Sequence, residues 1–507
     1  YMVGVRAMLT PRAKSLLCWA LLCALLAVTV VRLIAYAKAK SQTMDEGVHI
    51  AGGYAILSTG AYYVNPEHPP LVKLVAAAPL LSLGLTTPPR LTQPGWRYAD
   101  EWTFARELIY QYNDFPPILL RARAACLLWP LLLITLVYLW GSQMFGRGGG
   151  LLAAGTLALE PNLLAHSGLV TTDAGAAALF LAAIYALRAV LRSPRALNLF
   201  VLGLTLGAAV AAKFTCLLLV PIIGVVLLVR YRRASNGGRR WALRALGHFV
   251  LVCVVGYFLV FALYGLRVDT VAAPGYDPRI ATVLRWKPLV HAARYVLTQV
   301  PVPAHEYVFG LIWTSAQRRA GTETFLNGRI LHGGSLLFFP AAFALKVPLP
   351  LLLLALLAPF CGGKRLPREE SLLLWFPAAL FLLAALGSKF NLGLRHLLPA
   401  FPFLFLYLGR WPTGPHAARR WRTWVLGICL AWLAYESAAI HPHYLAYFNN
   451  LAGGPKRGYR YLVDSNLDWG QDLPGLKAYL EQHRIRRLWL SYFGSAPPEA
   501  YGIQALP

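Results

Sequence analysis

The chain has 507 residues, of which 57% are hydrophobic and only 14% charged. Soluble proteins carry about a quarter charged residues, so a set of ordinary soluble domains is excluded. The 48 basic and 21 acidic residues leave a net charge of +27. The densest basic runs, Arg230-Tyr231-Arg232-Arg233 with Arg239-Arg240, and Arg419-Arg420 with Arg422, flank apolar stretches, where topology signals sit. No basic soluble region interleaved with aromatics is present to hold a nucleic acid. The seven cysteines lie nearly all in apolar runs and form no CxxC pair, so neither a disulfide framework nor a cysteine zinc site is indicated.

In chain order, the first apolar run covers about 15–37, behind Arg12 and Lys14. It exceeds the roughly 7–15 residues of a signal-peptide core and reads as a retained first helix. Further runs fall near 118–140, 149–165, 171–190, 197–212, 214–229, 245–265, 335–360, 371–388, 392–409 and 422–440. Together they predict an α-helical polytopic membrane protein with about eleven transmembrane helices. The stretch 197–229 is too long for one helix, so it reads as a hairpin with Lys213 at its tip. With the N-terminus inside, the short basic loops become cytoplasmic: Arg147, Arg188/Arg192/Arg195, the Arg230–Arg244 cluster, Lys364/Arg365/Arg368 and Arg410–Arg422. The transmembrane region then spans 1–440, with extracytoplasmic loops 38–117 and 266–334. An extracytoplasmic C-terminal domain, 441–507, carries a helix from Leu473 to Gln482 and a strand from Arg487 to Phe493. It reads as a small α/β unit, minimal or truncated.

The chemistry-bearing residues collect on the outer side. Asp45-Glu46 opens a helical stretch just after the first run, and Glu67-His68-Pro69-Pro70 opens the next. Helix capping accounts for any one of these acids alone. Asp173, in Thr171-Thr172-Asp173, lies at the outer end of the fourth span, where Thr171 or Thr172 could cap without a charge. An acid at the edge of hydrocarbon points to function. Lys213, Lys346, Lys389, Arg395 and His396 converge on the same side. Each alone is explained by snorkelling to headgroups. As a group they suit a phosphate.

This ordered set, with the tail His441-Pro442-His443-Tyr444 and Asp464-Ser465-Asn466-Leu467-Asp468-Trp469-Gly470-Gln471-Asp472, resembles the GT-C glycosyltransferases over nearly the whole chain. Within them it is most similar to the bacterial relatives of protein O-mannosyltransferases and lipid A aminoarabinose transferases. The resemblance implies an inverting transferase of a bacterial plasma membrane, with its active site facing outward. It would move a sugar from a polyprenyl-phosphate carrier to a protein, glycan or lipid hydroxyl. It implies Asp45 as general base, Glu46 as its supporting acid and Asp173 as a second functional acid. Lys213, Arg395, His396, Lys346, Lys389 and His68 would meet the donor phosphate, with no cofactor required. One departure is His68, which stands where the aminoarabinose transferases carry lysine. Glu67, His68, His305 and His332 are a weak alternative set for zinc. A transporter or flippase of lipid-linked sugars is the competing reading. It would call for ionisable groups near helix midpoints.

Overall fold

The structure, a computed structural model, describes residues 10–89, 101–233, 240–271, 287–361, 365–413 and 419–506. Of the predicted basic loop residues, Arg239 and Lys364 lie outside these, as do 90–100 and 272–286 of the two predicted outer loops. The described chain is dominated by helices, with three two-stranded pairings.

The chain is a multi-pass membrane protein, but the expected count of eleven spans is not confirmed. Among the described residues, six helices are long and apolar enough to cross a bilayer, or seven if one bent pair counts as a span. The reasons are local. Predicted span 118–140 and most of 149–165 fall in the apolar run Phe115–Ala158, where two helices meet out of line at Gly146, whose φ is 80°. The remainder of the second is a short helix, Pro161–Ser167, capped by Glu160 accepting from the Leu163 N–H at 2.6 Å. Ala196–Ala212 has 17 residues, about 25 Å and at the lower end of the length that crosses a bilayer. The run 335–360 breaks into Phe338–Lys346 and Leu349–Phe360, bent by 104°, where Pro348 and Pro350 prevent continuation. Predicted span 392–409 starts as a 3₁₀ turn, Leu394–Ala400, before the short α-helix Phe401–Leu408. Arg419–Ala439 is a 21-residue helix that is not among the six. The expected break at Lys213 is present: its backbone is extended between Ala196–Ala212 and the turn Phe214–Leu218.

Thr172–Arg192 is the central helix, buried on nearly every face. Its Ala174-Gly175-Ala176-Ala177-Ala178 stretch lets neighbours come close. It packs against Leu128–Ala158, Ala196–Ala212 and the Leu394–Ala400 turn. It also defines the two ends of the bundle. Asp173 sits in its first turn, and Arg188, 15 residues on, lies about 22 Å away at the other end. There Glu370 accepts from Arg188 Nε at 2.7 Å, Arg192 Nη2 at 3.1 Å and Trp140 Nε1 at 3.1 Å.

The C-terminal region carries the expected helix and a short strand. Its helix Leu473–Gln482 is present, but the strand shrinks to Leu488–Trp489, paired in parallel with Ala505–Leu506. The apolar cluster beneath contains four buried residues, Leu473, Leu480, Ala496 and Ile503. The region packs on the loop before Asp45.

Ala196–Ala212 and Arg240–Leu263 cross on glycines. A Cβ at Gly203 would collide with Val255, and one at Gly207 with the Gly256 carbonyl. This small-xxx-small spacing brings two backbones together where lipid supplies no hydrophobic drive. Gly207→Leu is expected to cost about 1–3 kcal/mol, read as a lower unfolding temperature of the detergent-solubilised protein, whereas Gly247→Leu, which meets open space, leaves it unchanged.

Candidate functional site

The site begins at a buried carboxylate. Glu46 opens the helix Glu46–Thr59, and its side chain is 0% exposed. One oxygen accepts from Arg123 Nε at 2.8 Å and the Val170 N–H at 2.9 Å. The other accepts from Arg123 Nη2 at 2.6 Å, the Thr43 N–H at 2.9 Å and the Thr43 hydroxyl at 3.0 Å. Burial alone would raise its pKa, but the Arg123 guanidinium and these hydrogen bonds bring it below the usual carboxylate value. Arg123 is equally spent. Its remaining N–H groups donate to the carbonyls of Ala37 (2.7 Å), Lys40 (2.8 Å) and Ser41 (2.8 Å). The pair therefore fixes the path of the loop from Ala37 to Glu46, and Glu46 retains no capacity to exchange a proton with a substrate.

Asp45, one residue earlier, is held differently. It occupies the cap position of the same helix, yet its side chain makes no capping bond. Its carboxylate is 23% exposed and accepts from Arg395 Nη1 at 2.9 Å. The same Nη1 lies 3.8 Å from Asp173 Oδ2. Asp173 is 1% exposed, and its other oxygen is paired with Lys213. Thr171 makes no side-chain cap, so neither acid is explained as a helix terminus. The structure thus brings Asp45, Asp173, Lys213 and Arg395 together from four separate parts of the chain.

Imidazoles line the surroundings. His49 Nδ1 donates to the Val170 carbonyl at 2.8 Å, and its ring meets His68 edge-on at 4.8 Å. Burial, together with the nearby His49, Lys213 and Lys73, holds His68 well below the normal histidine pKa, so it is neutral at pH 7. Among the described residues, His49 Nε2, His166 Nδ1, His396 Nε2, Arg395 Nε and Asp173 Oδ2 are buried polar atoms without a hydrogen-bond partner. Such atoms are costly unless a ligand satisfies them. Arg318, on the helix His305–Ala320, acts electrostatically on Lys213 and His396 and has no carboxylate partner among the described residues.

The tail completes this arrangement. The Arg395 guanidinium lies 4.1 Å from the centroid of the Trp469 ring, a cation–π contact. Asn466 accepts the Leu394 N–H at 2.9 Å. The Met44 N–H donates to the Trp469 carbonyl at 2.9 Å and the Ser41 N–H to the Gln471 carbonyl at 3.0 Å. Lys40 donates to Asp472 at 2.6 Å and to His443 Nδ1 at 2.7 Å.

Other residues singled out in the sequence stand apart. Lys346 is buried, and its ammonium donates to the carbonyls of Leu445 (2.9 Å) and Asn466. It braces the tail. Lys389 is exposed. The weak zinc set is dispersed. Glu67 accepts from Gln317 Nε2 at 2.6 Å and Trp313 Nε1 at 3.2 Å, and His68 packs on His49. His305 stands beside Glu306, and His332 lies on the hairpin Glu323–His332 opposite Glu323. Among the described residues, no group of three or more His, Cys, Asp or Glu side chains is placed to hold a metal. Arg123, Arg318, His49 and His166 were given no role from the sequence, and Trp469 stood only within the tail motif. Arg123 carries a visible signal, as an arginine inside an apolar run. The others have none in one dimension.

A second buried network adjoins the histidines. Lys73 Nζ donates to the Asn65 carbonyl at 2.7 Å, and Asn65 Nδ2 donates to Glu101 at 3.0 Å. Burial pushes Glu101 up to about 7, with Glu67 adding to the rise. A raised carboxyl pKa gives stability that is present below the unfolded value and lost as pH rises through the folded one. Glu101→Gln should therefore unfold at nearly the wild-type temperature at pH 4 and a few degrees higher, about 2–4 °C, at pH 8. Scans at the two pH values check this. Removing one partner of the deeper pair strands a buried charge, so Arg123→Ala should cost about 3–5 kcal/mol. Adding Glu46→Gln should cost much less than the sum of the single changes, measurable as a double-mutant cycle in thermal unfolding.

No curated protein matches the chain. Among solved structures it is similar to the protein O-mannosyltransferase complex of S. cerevisiae bound to the sugar donor, with 20% identity and a TM-score of 0.37 over 55% of this chain and 38% of that one. It is also similar to ArnT from Cupriavidus metallidurans bound to undecaprenyl phosphate, with 14% identity and a TM-score of 0.34 over 84% and 80% of the two chains. A third is the Archaeoglobus fulgidus oligosaccharyltransferase AglB in complex with an inhibitory peptide and a dolichol-phosphate, with 12% identity and a TM-score of 0.45 over 89% and 56%. The chain thus spans well under two thirds of the yeast and archaeal chains. Residues 119–261, which carry Arg123, Asp173 and Lys213, match the family described as dolichyl-phosphate-mannose-protein mannosyltransferase.

Proposed function

We propose that this chain transfers a sugar from a polyprenyl-phosphate carrier to a hydroxyl at the membrane face where Asp45 lies. The observation that carries the reading is the difference between neighbouring acids. Glu46 is saturated with donors, Asp173 is enclosed with Lys213, and Asp45 alone combines exposure with a single cationic partner. A general base must reach the nucleophile and have a free lone pair, and of the three only Asp45 does. The concentration of arginines at the opposite end of the bundle supports an extracytoplasmic orientation for the acids.

Chemistry follows from charge. In the resting site Arg395 is shared between two carboxylates. A carrier phosphate arriving beside Lys213, Arg318 and Arg395 competes with Asp45 for the guanidinium and leaves that carboxylate free to accept a proton. The acceptor oxygen then attacks the anomeric carbon while its proton passes to Asp45. The bond between that carbon and the phosphate oxygen breaks, and the electron pair leaves with the phosphate, whose added charge the cations stabilise. A single displacement inverts the anomeric centre. Trp469 holds the plane of Arg395, and Asp173 holds Lys213. Protein hydroxyls are the favoured acceptors, with envelope lipids and glycans of the same hydroxyl chemistry also suited.

Transfer from a radiolabelled polyprenyl-phosphate sugar in membrane vesicles tests the assignment. Asp45→Asn should lower the rate by about 10²–10⁴ while carrier binding persists. Arg395→Gln should weaken carrier binding as well. An unchanged rate in Asp45→Asn would overturn the base assignment. Carrier translocated with its sugar still attached would favour a flippase instead.

A further inference from the structure

The end of the bundle away from Asp45 carries a second polar concavity that sugar transfer does not use. It has a volume of about 380 Å³ and is lined by Phe145, Arg365, Ser371, Trp375, Tyr407 and Arg410, within the size range of small-molecule sites. Its level is fixed by Gln143, two residues before Phe145, which accepts from Arg188 at the far end of the central helix. Three elements frame it. The long helix turns out of line at Gly146, immediately after Phe145. Phe401–Leu408 ends there, close against Gly149. Arg368–Leu386 begins there, contributing Ser371 and Trp375.

The charges are unbalanced in an informative way. Glu369 is paired with Arg230 at 3.4 Å, and Glu370 with Arg188 and Arg192. Arg365 and Arg410 have no carboxylate partner among the described residues. Arg410 lies over the Tyr407 ring at 5.3 Å, and Tyr407 meets Trp375 edge-on at 5.0 Å. Its Nε is buried without a hydrogen-bond partner. The positive-inside tendency explains basic residues in a loop. It does not explain a guanidinium laid over the Tyr407 ring at a cavity with a buried donor left over.

We infer that this cavity binds the phosphate of an anionic membrane lipid in the leaflet opposite the transfer site, with Arg410 and Arg365 on the phosphate. Trp375, half exposed on the outer surface of its helix, lies beside the glycerol and upper acyl chain, where amphipathic rings are favoured. Guanidinium groups match phosphate oxygens in geometry, and basic pockets between membrane helices take such headgroups.

The test is lipid retention by the full-length protein in detergent, read by native mass spectrometry with phosphatidylglycerol, phosphatidylcholine or excess inorganic phosphate. Phosphatidylglycerol should be retained preferentially and should survive the inorganic phosphate. Each basic side chain near an anionic surface contributes roughly fivefold, so Arg365→Gln/Arg410→Gln should weaken retention about 25-fold. If that double variant does not fold, Arg365→Gln alone, at an exposed position, should give about fivefold. Arg195→Gln, exposed at the same end outside the cavity, serves as the charge control. Equal retention of phosphatidylcholine, displacement by inorganic phosphate, or an equal loss in Arg195→Gln would each overturn the inference.

Discussion

The arrangement depends on one buried ion pair. Arg123 reaches from the start of the long membrane helix to Glu46 and uses all its N–H groups on that carboxylate and on the carbonyls of Ala37, Lys40 and Ser41. Neither partner is cheap to bury. A charge withdrawn from water costs several kcal/mol even after relaxation, and only a fully hydrogen-bonded geometry offsets it. In return the loop that joins the first helix to Glu46–Thr59 is given one conformation, and Asp45 is placed at its end with its side chain directed away from the pair. Stability and chemistry are thus divided between adjacent acids.

The same division recurs among the cations. Lys346 spends donors on backbone carbonyls, Arg123 on carbonyls and Glu46, and both act as braces. Arg395, Arg318 and Lys213 keep charge facing the acids or one another. Lys213 lies where the backbone is extended between two helices, so an ammonium can be delivered at the depth of Asp173 without a helix being interrupted along its length. Arg395 stands in a 3₁₀ turn containing Pro399, another place where regular structure gives way. Polar side chains in this molecule enter at such breaks, where the backbone already needs partners.

How much could be read from sequence follows from this. Composition and apolar runs established a polytopic helical protein, and Lys213 at a break was legible because 197–229 exceeds one bilayer crossing. The number of spans was not. Apolarity does not report whether a run is straight: Pro348 bends one and Gly146 another, and prolines shorten the run at 392–409. Asp45, Asp173 and Arg395 could be nominated because a charge at the edge of hydrocarbon needs a reason. Their distinct burial could not, since Glu46 and Asp45 are adjacent and look alike until Arg123 and Val170 are placed beside one of them. The α/β tail was legible in outline only. Its pattern of helix and strand is present, but its hydrogen bonds go to the loop at Ser41–Met44.

That last contact has a consequence for biosynthesis. The Ser41 hydroxyl donates to the carbonyl of Gly470 at 2.8 Å across 429 positions of sequence. The loop bearing Asp45 therefore emerges from the ribosome long before the strip that clamps it. Every intervening helix must be inserted, and the tail delivered to the same face, before Trp469 can meet Arg395. A nascent chain carrying Asp45, Asp173 and Lys213 therefore lacks the backing for Arg395 until the segment around Trp469 has reached the same face.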